Sequence, residues 1–188
     1  MAIWQYQLTV IPQDVIIDLL GKLPDKLFID KEARKIYWNN ISNEINIVVV
    51  DAWTFDWWKF TKIDIELIAN QIDKLVTRGS FNNSDFLSWK GDDKINEDND
   101  AGICIDEETG KITDFRFRTD LRKFENISMF LYEMIKICNA NDFLLMNNNG
   151  DLFEADIKII SEDLIKSNAA RFLTDPIKFL ESIEINKN

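Results

Sequence analysis

Two hairpin patterns bracketing one amphipathic helix constrain the fold of this chain more than any other feature. In the first, residues 102–106 and 111–119 alternate apolar and polar side chains around a turn at 107–110. In the second, the apolar runs 143–146 and 152–153 flank 147–151, where Asn149 and Gly150 supply the left-handed conformations of a tight hairpin turn. Between them Ile127, Phe130, Leu131, Met134, Ile135 and Cys138 recur along one helical stripe. A short turn joins only antiparallel neighbours, because a parallel pair needs a long crossover. The expected class is therefore α+β, with a mainly antiparallel sheet whose hairpins pack against amphipathic helices.

The remaining segments fill in that outline. Residues 5–11 alternate as a strand, and Asp14 caps a short helix over 15–20 that Gly21 ends. Further strands are expected at 27–29, 35–38 and 45–51, with polar turn residues at 39–43 between the last two. A helix is expected from Asp64 to Arg78, stopped at Gly79. Residues 80–100 show little regular pattern and read as a long loop or internal boundary. The tail reads as helical over 161–173, then again over 177–185 after an Asp175-Pro176 cap and first-turn proline. At 188 residues the chain suits one well-buried domain, 1–188, and is short for two.

Composition narrows the function classes. With 33 acidic and 22 basic residues the net charge is −11, a sign that repels nucleic-acid phosphates and anionic lipid surfaces and attracts a cationic partner. There is no histidine, which removes Ser-His-Asp and Cys-His nucleophilic machinery and His-ligated metals. The two cysteines, Cys104 and Cys138, form no CxxC pair and read as core residues. No glycine-rich phosphate cradle occurs, and no cofactor is expected. Neither a signal peptide nor a run long enough to span a membrane is seen, so the expected location is the cytoplasm. No enzyme activity is expected.

Three clusters are candidates for a site. The first is the acidic stretch after Trp89, with Asp92, Asp93, Glu97, Asp98 and Asp100, read as a negative surface patch that meets a protein partner. The same stretch carries calcium-loop spacing, with Asn96, Asp98 and Asp100 at positions one, three and five and Glu107 at twelve. Ala101 stands where that loop needs glycine, and a hairpin follows in place of a helix, so no metal is expected and calcium remains the alternative. The second cluster is the aromatic run from Asp51 to Phe60, in which Trp53, Phe55 and Trp57 would share one face of a strand. Core packing competes there with a partner contact at Trp57 and Trp58, and with a carbohydrate platform beside carboxylates. The third is basic: Arg116, Arg118 and Arg122 follow buried phenylalanines and are anion-binding candidates, set against cross-strand pairing with Asp106, Glu107 and Glu108.

Across residues 89–182 a tryptophan and acidic loop lead to a hairpin ending in FRFRTDLR, an amphipathic helix, an LLM-turn-LF hairpin and a closing SNAARFLTDPIKFL. This succession resembles the immunity-type proteins, small acidic bacterial cytoplasmic proteins encoded beside polymorphic toxins. The resemblance implies inhibitory binding of a cognate toxin domain. The expected function is thus non-enzymatic protein binding, the sharper form being immunity through an acidic surface against a basic toxin. Carbohydrate binding, or carboxylate-dependent carbohydrate chemistry, is the alternative.

Overall fold

A computed structural model describes residues 2–40, 49–80 and 82–179. Its centre is a six-stranded antiparallel sheet in the order β2-β3-β4-β1-β5-β6, so the chain is an α+β domain, as expected. The strands are β1 (Gln5–Pro12), β2 (Phe86–Lys90), β3 (Asp100–Ile105), β4 (Ile112–Asp120), β5 (Phe143–Met146) and β6 (Leu152–Glu154). Both expected hairpins are present: β3 pairs β4, and β5 pairs β6. Gly150 takes φ +86° in the second turn, and a β-carbon there would fall 2.3 Å from the Leu27 carbonyl oxygen.

Register divides the sheet into two unlike faces. Leu8, Phe117, Ala101 and Trp89 sit in one cross-strand row, and Phe115, Ile103 and Leu87 in another; all are buried. Because successive side chains point to opposite sides, the intervening rows face the other way. They read Gln7-Arg118-Asp100-Lys90, then Arg116-Gly102-Ser88, then Asp114-Cys104-Phe86.

Helices cover the apolar face. A π-helical stretch, Asn126–Leu131, runs into α4 (Tyr132–Ala140), and its Phe130 ring meets Phe117 edge-on at 6.3 Å. Met134, Ile135, Ile137 and Cys138 carry the buried stripe on through α4, which packs against β5 and against α3 (Ile65–Ile72). The α3 start is as expected, since the Asp64 side chain accepts from the Leu67 amide at 3.2 Å. The helix ends at Ile72, earlier than the Arg78 stop read from sequence. Trp58 fills the space between Phe115, at 6.3 Å, and Phe143, at 5.2 Å. Truncating a core aromatic of this kind costs about 3–5 kcal/mol. α1 (Gln13–Leu20) follows β1 directly, with Pro12 rather than Asp14 at its cap and Gly21 left-handed at its end. At the tail Asp156 and Ser167 cap α5 (Ile157–Lys166) and α6 (Asn168–Thr174). Ser167, in extended conformation, splits what the sequence suggests is one helix. Asp175 accepts from the Lys178 amide at 3.1 Å and opens a further helical turn at 176–179.

Three local expectations need correction. Residues 35–38 belong to α2 (Lys31–Asn40) and not to a strand: Asp30 accepts from the Ala33 amide at 2.9 Å and starts the helix. Residues 27–29 form no strand, and only the preceding Lys26 makes an isolated bridge, to Asp151. Residues 86–90, read as loop, are strand β2. The expected strand at 45–51 lies largely outside the described residues, as do part of the 39–43 turn and the end of the 177–185 helix, and 49–51 form no strand.

The outer strand β2 is covered by its own chain, and the start of β6 is tied to it. Along β2, Gly79 and Asn83 donate to the Ser88 and Phe86 carbonyls, Lys90 donates to Thr77, and the Ser88 amide donates to Asn82. At the start of β6 the Leu152 amide donates to the Asp25 carbonyl, and in the turn before it the Gly150 carbonyl accepts from the Leu27 amide.

Candidate functional site

The acidic stretch after Trp89 folds inward. Trp89 is 1% exposed; its indole N–H donates to Asp73 at 2.7 Å, and the Arg78 guanidinium lies over its ring at 5.6 Å. Asp92 accepts from the Lys94 amide at 2.9 Å and caps a single 3-10 turn. Asp93 pairs with Arg122 at 2.6 Å and Glu97 with Lys123 at 3.0 Å. Asp98 and Asp100 are buried; Asp98 pairs with Lys90, and Asp100 accepts from Arg118 at 2.7 Å and Gln5 at 3.2 Å. The expected negative patch is therefore largely neutralised within the molecule, and Trp89 is no surface anchor. Unpaired carboxylates could not be buried at acceptable cost, which is why a loop this acidic draws in cations from β2 and β4.

The calcium alternative meets the same obstacle. Asn96 is a left-handed residue ending the 3-10 turn, Asp98 and Asp100 are occupied as above, and Glu107 accepts from Ser84 in the hairpin turn. Among the described residues no group of three or more histidine, cysteine, aspartate or glutamate side chains is placed to hold a metal ion.

Two aromatics of the run Asp51–Phe60 are likewise turned inward, while Phe55 and Phe60 are exposed. Residues 52–60 are mostly turns, not a strand, so the neighbours Trp57 and Trp58 are both buried, at 9% and 2% exposure. Trp57 donates its indole N–H to the Ala52 carbonyl at 2.7 Å. Neither offers a surface platform.

Among the basic candidates, Arg122 is structural. It lies over the Trp4 ring at 4.3 Å and donates to the fully buried Asp120. Burial pushes the Asp120 carboxyl up, but the Arg122 bonds and the Arg122 and Asp98 amides outweigh it and hold it below the usual carboxylate range. Asn99 and Asn126 extend this network, with Asn126 donating to the Asn96 and Asp120 carbonyls. Arg116 and Arg118 are different. Their carboxylate partners are Asp114, two residues back on β4, and Asp100, not the expected Asp106, Glu107 and Glu108.

These two arginines lie on the floor of a groove of about 940 Å³ over the polar rows of the sheet. Gly102 makes the floor flat there: the Phe86 ring crosses so close that a β-carbon on Gly102 would fall 3.2 Å from it. The wall comes from Trp38, 62% exposed at the end of α2, and from Trp53. Both are positioned by Asp51, whose buried carboxylate accepts from the Asp30 amide at 3.2 Å, the Trp53 amide at 2.9 Å and the Arg34 guanidinium. Burial raises the Asp51 carboxyl, and those bonds, Arg34 first, pull it below the ordinary range. Arg34 also stacks on Trp53 at 4.4 Å.

The groove presents donors more than acceptors. Arg116 and Arg118 each engage a carboxylate through Nε, at 2.6 and 2.7 Å, and their terminal N–H groups meet no acceptor among the described residues. The Trp53 indole N–H also has no acceptor among the described residues, but it is buried and not presented to the groove. By contrast both Asp100 oxygens already accept. Cys104 lines the groove, and burial followed by the nearby Asp114 pushes its thiol up, away from the reactive thiolate. Trp38, Trp53, Phe86 and Asp114 come from separate segments, and no sequence pattern joins them into a site. No protein-family model, curated protein or solved structure matches the chain.

Proposed function

We propose that this is a non-enzymatic binding protein that meets a protein partner through the groove walled by Trp38 and Trp53. The carrying observation is a largely exposed tryptophan at the rim of a wide groove on whose floor the terminal guanidinium N–H groups of Arg116 and Arg118 meet no acceptor among the described residues. Trp and Arg are among the residue types most enriched where binding energy concentrates at protein interfaces. The sharper form is an immunity-type protein of the bacterial cytoplasm that occupies a cognate toxin domain. It is supported by the resemblance over residues 89–182 and by the net charge of −11, which would speed encounter with a basic domain. Among the described residues no helix is long and apolar enough to cross a membrane.

A photocrosslinking residue placed at Trp38 tests the groove in the source organism, with one at Ile165, 70% exposed and outside the groove lining, as control. A discrete protein adduct from position 38 and not from 165 is expected. Co-expression should then relieve any toxicity of the captured protein. The same adducts from both positions would reject the groove as the contact surface.

Carbohydrate binding is favoured by one observation, two tryptophans beside Asp100 and Asp114 in the groove. Its platform would be Trp38 and Trp53, not Trp57 and Trp58.

A further inference from the structure

We infer that the groove is built for an acidic segment of its partner, one that sets carboxylates beside a flat apolar side chain. This rests on the reading of the groove as a protein-contact surface, and it runs against the sign suggested by the net charge. Lys90, Arg116 and Arg118 line the groove with Asp100 and Asp114, and Asp98 pairs with Lys90, so the local charges balance in a chain whose total is −11. Charges elsewhere on the surface are screened beyond about 8 Å at physiological salt. An inserted group therefore responds mainly to the side chains it touches.

Those side chains ask for an acceptor. Asp100 is committed to Arg118 and Gln5, and Asp114 to Arg116. Because each carboxylate takes the Nε side of its arginine, the terminal N–H groups remain for a ligand. Arg116 and Arg118 stand two residues apart on β4, so their side chains emerge on the same face. A carboxylate accepts from such a fork through both oxygens. The bonds to Asp114 and Asp100 also hold each guanidinium in place before a partner arrives, reducing the ordering that binding must impose. A lysine or arginine from a partner would find both Asp100 oxygens and one Asp114 oxygen already bonded, and would sit against two guanidinium groups. The Trp38 ring and the Phe86 ring over Gly102 supply flat apolar surface for a neighbouring ring.

The test titrates the intact, isotope-labelled protein with three blocked peptides, acetyl-Glu-Phe-Glu-amide, acetyl-Gln-Phe-Gln-amide and acetyl-Lys-Phe-Lys-amide. The indole N–H signals of Trp38 and Trp53 are followed by NMR. The glutamate peptide is expected to shift both signals and to bind about tenfold more tightly than the glutamine peptide, with the lysine peptide weakest. Arg116→Gln, at a half-exposed site, should remove most of that preference, and Trp38→Ala should weaken the glutamate and glutamine peptides alike. Arg118→Lys keeps the charge paired to Asp100 but loses the fork, and should weaken the glutamate peptide while the melting temperature stays near that of the parent. Equal or tighter binding of the lysine peptide, no shift with any peptide at about 10 mM, or a glutamate preference that survives Arg116→Gln would overturn the inference. A position-38 crosslink that persists in any of those cases keeps the groove as the contact surface and rejects only its acidic ligand. Loss of that crosslink rejects the surface itself.

Discussion

Replacing Asp120 with alanine probes the polar network that ties the acidic loop to the sheet. Its carboxylate is fully buried and accepts from the Asp98 amide at 3.0 Å, the Arg122 amide at 2.9 Å and the Arg122 guanidinium at 2.7–3.0 Å. Truncation leaves two amides without acceptors and a guanidinium, 20% exposed, whose remaining carboxylate is the exposed Asp93. Removing one partner of a fully buried pair costs about 3–5 kcal/mol; the residual exposure of Arg122 and its bond to Asp93 put this case near the lower end, about 3 kcal/mol. For a domain of this size about 3 kcal/mol corresponds to a fall of about 6–12 °C in Tm. Urea unfolding at neutral pH, followed by tryptophan fluorescence and by circular dichroism, measures the loss. Combining Asp120→Ala with Arg122→Ala should give a total smaller than the sum by more than about 1 kcal/mol, because the second change removes the charge stranded by the first. A loss under about 1 kcal/mol for Asp120→Ala, or strict additivity, would refute the view that this pair anchors the loop.

Acid should weaken the fold for the same reason. Asp51, Asp120 and Asp151 have folded pKa values held below the ordinary carboxylate value. Their contribution is thus complete above about pH 4 and is lost as pH falls through the folded values; urea midpoints that do not fall between pH 5 and pH 3 would contradict this. Gly150→Ala should lower stability by about 1–2 kcal/mol or more, from the left-handed backbone and the clash with the Leu27 carbonyl; an unchanged melting curve would show that the turn is not held as described. Calcium at about 5 mM should leave the melting temperature unmoved, since Lys90 and Arg118 hold Asp98 and Asp100; a rise of several degrees would restore the calcium-loop reading. Cys138, whose thiol burial pushes up, and Cys104 should react slowly with a thiol reagent until urea unfolds the chain.

How much of this was readable beforehand depended on how far apart the interacting residues lie. The β3–β4 and β5–β6 hairpins show themselves through local alternation and turn chemistry, and so does the Ile127–Cys138 stripe. β2 escaped because its buried residues, Leu87 and Trp89, alternate for only two steps inside a polar stretch. α2 resembled a strand at Lys35–Trp38 because Ile36 and Trp38 alternate, although Asp30 ahead of it is a helix cap signal. The arginines of β4 were visible as candidates, but their partners were not, since Asp100 reaches Arg118 only through the β3–β4 register. The groove wall was illegible: Trp38 and Trp53 reach the sheet because Asp51 fastens two segments together. The acidic loop misled in the opposite direction, because a count of carboxylates does not tell which cations fold over them.

The covered outer strand β2 bears on how this protein behaves when crowded. An open strand edge is a template on which another chain can grow, and fibres begin in that way. Here outward amides and carbonyls of β2 are taken by Thr77, Gly79, Asn82 and Asn83. Growth on that edge must therefore wait until the flanking segment peels away, so mutations that loosen it should shorten the shelf life of a concentrated solution well before they lower the melting temperature.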